Sequence, residues 1–204
     1  KKYPDSITND SPTQKVGADY SPEFRQYEHK YPMLSLGNTY NEEELREFDS
    51  RVRKQIEGHP EYVCELKYDG ASISITYRNG IMYRALTRGD GTKGDDVTLN
   101  VKTIKTIPHK LSGRTFPGEF IIRGEILMPH SVFDQLNSDR VSAGLPPFAN
   151  PRNAASGTLK LLDPRIVASR NLDCMFYFLL SEELPYRTHL ENLKSAAEMG
   201  FRVP

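Results

Sequence analysis

The dipeptide Asn79-Gly80, set between two runs of alternating residues, constrains the fold of this chain more than any other feature. Asn-Gly suits the two-residue turn whose central residues both need positive φ, and that turn matches the twist of an antiparallel strand pair. Ala71 to Tyr77 alternates as a half-buried strand does, and Ile81 to Thr87 supplies the return strand. Pairing Arg78 with Ile81 puts Arg88 opposite Ala71, on the face of Ile73 and Leu86. If the first strand runs unbroken through Gly70, Lys67 shares that face.

Immediately before the hairpin stands Cys64-Glu65-Leu66-Lys67-Tyr68-Asp69-Gly70, a lysine between two carboxylates at every-second-residue spacing. On a strand, Glu65, Lys67 and Asp69 share one face, and Cys64, Leu66 and Tyr68 the other. Partial burial of a lysine favours the neutral amine, a nucleophile, whereas flanking carboxylates favour the ammonium. Lys67 is therefore expected to lose its proton only once a substrate is in place. The same spacing also describes an ion pair at a strand end, followed by a turn.

After the hairpin, Gly89, Gly91 and Gly94 satisfy G-x-G-x-x-G ahead of a helix expected over Val97–Ile104, capped by Asp95 or Asp96. At face value that is a dinucleotide fingerprint, and an NAD-dependent oxidoreductase is one reading. The fingerprint belongs to a parallel strand-helix-strand unit, and here the preceding strand is the second arm of a hairpin. The favoured reading is an anion cradle in which glycine amides and Arg88 approach a phosphate. A plain flexible loop is the alternative.

Elsewhere the pattern alternates between helices and strands. Asn41 caps a helix, with Glu44 completing a capping box and Gly58 ending it. Leu45, Phe48, Val52 and Ile56 form its expected buried stripe. Glu119 to Leu127 is a strand that puts Arg123 and Glu125 on one face with Ile121 and Leu127. The two form either an ion pair at a sheet edge, or a site where Glu125 holds a ribose hydroxyl or a metal-bound water. Pro129 to Leu136 starts a short helix, and Ala154 to Leu162 is another. Arg152, Lys160 and Arg165 form either a local basic face or ordinary surface charge. Leu172 to Leu180 alternates poorly and is expected to be buried on both faces, with Tyr177 needing a partner for its hydroxyl or an open edge. Thr188 caps a last helix, with Leu190, Leu193, Ala197 and Met199 inward. The fold class is α+β, with antiparallel sheets and flanking helices.

The 27 basic and 27 acidic residues cancel, so no whole-domain positive field demands a nucleic-acid partner. No apolar run approaches the roughly 18 residues of a membrane span, and no signal-like segment opens the chain. Cys64 and Cys174 lie in apolar runs and read as buried thiols. A cytoplasmic protein fits. Residues 1–30 are polar and proline-marked, an arm or linker ahead of a domain over 31–204. No helical His-x-x-x-His pair, Cys-x-x-Cys pair or Gly-x-Ser-x-Gly supports a zinc site or a serine-hydrolase elbow. No metal ligand is assigned.

Six segments occur in the order seen in bacterial NAD+-dependent DNA ligases. They are Asp10–Gly17, Pro32–Asn38, Cys64–Gly70, Thr87–Gly91, Arg123–Glu125 and Phe148–Leu159, and the chain resembles the adenylation (nucleotidyltransferase) domain of that family. The resemblance implies an incomplete nucleotidyltransferase, ATP-grasp-like ligase core. It implies that Lys67 attacks the α-phosphate of NAD+, expels nicotinamide mononucleotide and forms a lysyl-AMP, with Asp69 closing the motif. It implies that Ser35 and Leu36 line the adenosine site, Glu65 meets the adenine, Tyr177 stacks on the base, and Arg88 and Glu125 hold the ribose and its surroundings. Mg2+ is implied as cofactor and nicked double-stranded DNA as partner, reached through the full-length enzyme, which is expected to be a monomer. A helical subdomain ahead of residue 1 and two lysine-bearing motifs beyond Pro204 are also implied. The chain is thus expected to be a piece of the adenylation domain, too slow with NAD+ to be useful by itself. An ATP- or GTP-using ligase or capping enzyme, and a non-catalytic interaction module, are the remaining alternatives.

Overall fold

The computed structural model describes residues 24–111 and 117–204. The motif at 10–17 lies outside them. In chain order the described elements are β1 (Gln26–Glu28), α1 (Glu42–Arg53), β2 (Ala71–Arg78), β3 (Ile81–Thr87), β4 (Lys93–Asp95), α2 (Thr98–Val101), β5 (Glu119–Leu127), α3 (His130–Ser142), α4 (Pro151–Leu159), α5 (Pro164–Ser169), β6 (Asp173–Leu180) and α6 (His189–Glu198). β3, β2, β5 and β6 make a four-stranded sheet in that order, and β1 pairs with β4 in a small second sheet. All pairings are antiparallel. The antiparallel hairpin removes the oxidoreductase reading of the glycine loop, because no parallel strand-helix-strand unit surrounds it.

Asn79 and Gly80 have φ of 48° and 73°, as the two-residue turn requires. Arg78 faces Ile81 as expected, but Tyr83 is one residue too many in β3, and beyond it the pairing shifts to Thr76–Arg84 and Ile73–Thr87. Such a bulge carries every later side chain to the opposite face. Continued past Thr87, this register sets Arg88 beside Ser72. Arg88 therefore belongs with Ser72 and Ser74, and the expected place opposite Ala71 is wrong by one residue.

One face of the large sheet is the core. Ile73, Ile75, Tyr77, Phe120, Ile122, Ile126, Cys174 and Phe176 pack there against Val97, Val101, Ala154, Ala155, Leu159 and Phe201. The Tyr77 ring stacks on Phe120 at 5.3 Å and meets the edge of Phe201 at 5.2 Å. Its hydroxyl donates to the Pro108 carbonyl at 2.5 Å, which satisfies the one polar atom this ring brings inside. Asn100, also buried, donates to the Leu159 and Leu161 carbonyls at the end of α4.

Several helices follow their caps. The Asn41, Asn150, Asp163 and Thr188 side chains accept the amides of Glu44, Asn153, Arg165 and Glu191. Other expectations are corrected. α1 ends at Arg53, before Ile56, and has no buried residue; Leu45 is 55% exposed, so its stripe faces solvent. α3 runs on to Ser142. In α6, Leu193 and Ala196 are buried, while Leu190 and Ala197 are exposed. α2 covers only Thr98–Val101, shorter than the expected Val97–Ile104; Val97 holds the cap position, and the expected Asp96 side chain accepts the Thr98 amide at 3.0 Å. β6 is an edge strand with one core face, and its poor alternation comes from a second bulge at Tyr177. Cys174 is buried, but Cys64 is exposed.

Candidate active site

The polar face of the sheet is built by the period of two in β2 and β5. Ser72 and Ser74 pair with Glu125 and Arg123, opposite the core face. In β6 the bulge leaves both Tyr177 and Phe178 off the core face, between buried Phe176 and Leu179. Bulges re-aim side chains in this way. The Tyr177 hydroxyl consequently reaches the Ser72 hydroxyl and the neighbourhood of Glu125 and Arg123. Burial, then the Glu125 charge, pushes that tyrosine above its ordinary range.

Glu125 and Arg123 are not an ion pair, and β5 is a central strand rather than an edge. Glu125 accepts from the Gly70 amide at 3.1 Å and the Ser72 hydroxyl at 2.8 Å. Burial pushes its carboxyl above the usual range, opposed by those two bonds and by the charges of Lys67 and Arg152. Arg123 donates to the Tyr31 and Pro32 carbonyls at 2.5 and 3.1 Å, so it straps residues 31–36 across the polar face. On that strap Met33 is buried, and its amide donates to the Gly91 carbonyl. Ser35 accepts from Arg88 at 2.7 Å. Leu36 is 85% exposed.

Lys67 does not sit on a strand. Residues 61–69 have no regular secondary structure, and Lys67 is exposed. Side chains fasten this ribbon on both sides of the lysine. Glu65 meets His189 at 2.6 Å, Asp69 accepts from Arg152 at 2.9 Å, and the Gly70 amide is held by Glu125. The carboxylates flanking Lys67 are thus engaged with other partners. Lys67 is close enough to Glu125 for its charge to act on that carboxyl.

Beside Gly70 lies a cleft of about 370 Å³, lined by Ser72, Thr87, Arg88, Lys93, Asp95, Arg152, Ser156 and Lys160 among others. Arg152 and Lys160 both line this cleft, Arg152 paired with Asp69, and Arg165 instead pairs with Asp163. Lys160 also contacts buried Asp95 at 3.1 Å. The glycine loop is not an open amide cradle. Asp90 accepts from the Thr92 amide, the Thr92 hydroxyl and the Lys93 amide, each at 2.8 Å, and the Gly91 amide donates to the Arg88 carbonyl. Those bonds hold the Asp90 carboxyl down at about 2. The cleft's positive charge comes from Arg88, Lys93, Arg152 and Lys160, and Asp90 and Asp95 line it as well. Among the described residues no three His, Cys, Asp or Glu side chains converge as a metal-binding group.

Six expected site residues, Lys67, Asp69, Glu65, Arg88, Glu125 and Tyr177, therefore surround one end of the sheet where β2 begins, and Ser35 joins them through Arg88. Leu36, 85% exposed, is not brought into this group. Ser72 and His189 belong to the same constellation and are not singled out by sequence, and Arg123, read there only as a partner for Glu125, joins them. Ser72 is legible in retrospect from its period-two place after Gly70; His189 gives no signal beyond following the cap Thr188.

Residues 21–204 match the NAD-dependent DNA ligase adenylation domain family. The chain is 57% identical over 202 residues to a DNA ligase of Parabacteroides distasonis, and 53% and 55% identical over 203 residues to DNA ligases of Cytophaga hutchinsonii and Phocaeicola vulgatus. These alignments cover 99–100% of this chain and 30% of each relative. No helix among the described residues is long and apolar enough to cross a membrane. With a lysine ribbon pinned to the polar face of an antiparallel sheet, and a match over nearly its full length, the chain belongs to the NAD-dependent DNA ligase adenylation domain family.

Proposed function

We propose that this chain carries the self-adenylation step of an NAD+-dependent DNA ligase. The observation that carries the reading is Lys67 on a side-chain-pinned ribbon, within the field of Glu125 and next to a cleft lined by Arg88, Lys93, Arg152 and Lys160. The neutral amine of Lys67 attacks the α-phosphorus of NAD+. A P–N bond forms, the P–O bond to nicotinamide mononucleotide breaks, and that group leaves with its own phosphate. The lysine proton passes to solvent or to Glu125, whose raised affinity for a proton suits the role. Arg88 and the cleft cations stabilise the negative charge spread over the phosphate oxygens. Tyr177 and Glu65 take the adenine, and Ser35, Leu36 and Glu125 the rest of the adenosine.

In the complete enzyme the AMP then moves to a DNA 5′-phosphate, and the 3′-hydroxyl displaces it to seal the nick. Mg2+ is implied by phosphoryl transfer, but the described side chains do not build a cage for it, so its ligands would come chiefly from phosphate oxygens and water. The cytoplasm is the compartment that fits, and a monomer the expected state.

Intact-mass measurement of the complete ligase with NAD+ tests the reading. A single AMP adduct that Lys67→Ala abolishes is the expected result. An adduct that survives in that variant, or one that forms from ATP and not from NAD+, overturns it.

A further inference from the structure

His189 is the first residue of α6, and its ring Nε2 lies 2.6 Å from Glu65 Oε1. A carboxylate only accepts, so Nε2 donates. The imidazole is itself braced by the Phe178 ring, 5.6 Å away between centroids. Phe178 owes its place off the core face to the β6 bulge at Tyr177. The pair is partly sheltered, with the His189 and Glu65 side chains 35% and 22% exposed. Residues 61–69 form no backbone–backbone hydrogen bond among the described residues, so this contact is the fastening on the N-terminal side of Lys67 that lies nearest to it.

We infer that His189 is a positioning residue for NAD+: it occupies one oxygen of Glu65 and aims the other at the adenine. The inference rests on the reading that Glu65 meets the adenine. A carboxylate on an irregular ribbon has several rotamers of similar energy, and only one of them presents an acceptor to the exocyclic amine. A donor fixed at the start of a helix and backed by an aromatic ring selects among them before substrate arrives. Binding then avoids the cost of ordering that side chain. Phe178 and Tyr177, adjacent on the same bulge, thereby serve the two sides of one base: Tyr177 by stacking, and Phe178 by bracing the residue that orients its edge contact.

The test uses the complete ligase and steady-state sealing of nicked DNA at saturating DNA, with NAD+ as the varied substrate. His189→Phe keeps a ring against Phe178 and removes the donor, and His189→Gln keeps a donor. The expected result is a KM for NAD+ raised about tenfold in His189→Phe, the loss of one well-placed hydrogen bond, with kcat changed less than KM and the melting temperature held. His189→Gln should recover most of that loss. In the background of Glu65→Ala, His189→Phe should add nothing. If Glu65→Ala raises KM while His189→Phe does not, the positioning role is overturned and the adenine contact stands. If Glu65→Ala leaves KM unchanged, the adenine contact and the inference both fall.

Discussion

Glu125 Oε1 accepts a hydrogen bond from the backbone amide of Gly70, 3.1 Å away. A carboxylate in the middle of a central strand thus holds the residue at which the lysine ribbon joins the sheet. Its other oxygen takes the Ser72 hydroxyl, so the group is half-buried yet satisfied.

That burial has a measurable signature in pH. The folded protein binds the Glu125 proton more tightly than the unfolded chain does. The resulting stabilisation is complete below the ordinary value of 4.5 and is lost as pH rises through the elevated one. As pH rises above 4.5 the native protein should therefore lose stability relative to Glu125→Gln. Urea unfolding of both through that rise checks it, and parallel curves would refute it.

Gly70 leaves no room for a side chain. A Cβ there would lie 2.1 Å from the Ile126 carbonyl oxygen and 2.9 Å from Leu127 Cδ2. Backbone does not yield as a flexible side chain does, so Gly70→Ala should cost about 3 kcal/mol and move Lys67 away from Glu125. Thermal unfolding and lysyl-AMP yield should both fall. Gly37→Ala, where nothing lies within 4 Å of the new Cβ, should leave the melting temperature unchanged.

Asp90 organises the loop after β3 through its three short bonds. In Asp90→Ala the Thr92 and Lys93 amides should exchange with solvent much faster. Acidification of the native protein from 3.8 toward about 2 should have the same effect, because the depressed carboxyl loses its stabilising charge over that window. Residue-resolved hydrogen exchange distinguishes this from a loop held by its glycines, which would not respond to either change.

Arg123→Ala should release the strap at residues 31–36, since the two carbonyls of Tyr31 and Pro32 lose their donor. A cost of about 1–3 kcal/mol is expected. Exchange at the Met33 amide should quicken, and NAD+ binding by the complete ligase should weaken. A variant with native exchange at Met33 would show that the strap is held from elsewhere.

The hairpin, β5 and two capped helices were legible because local chemistry decides them: Asn79-Gly80 for the turn, and Asn41 and Thr188 for the starts of α1 and α6. α4 instead spans Pro151–Leu159, three residues earlier than the expected Ala154–Leu162, because Asn150 caps it and Pro151 opens it. The lysine ribbon misled because alternation is necessary for a strand but not sufficient. β2 pairs Ala71 with Ile126, so residues before it would need partners beyond Leu127, where Pro129 turns the chain into α3. On the other side the chain departs at Gly89, with a φ of 56°. Both neighbours leave at once, and an alternating sequence is left without a ladder. The bulges at Tyr83 and Tyr177 were equally hidden, since one extra residue leaves no mark in a short apolar run. Arg88 and Tyr177 reach the polar face because of them. The α1 stripe, expected to be buried, is not: no residue of α1 is buried, and Phe48 meets the Tyr62 ring, 6.2 Å away between centroids.

A nucleophile carried on unladdered chain has a freedom that one in a sheet lacks. In-line displacement asks the attacking nitrogen to travel as the new bond shortens and the old one stretches. Here that travel tears no rung of β-structure. It is limited by latches at 65, 69 and 70, each tunable by a single substitution without rebuilding the scaffold behind them.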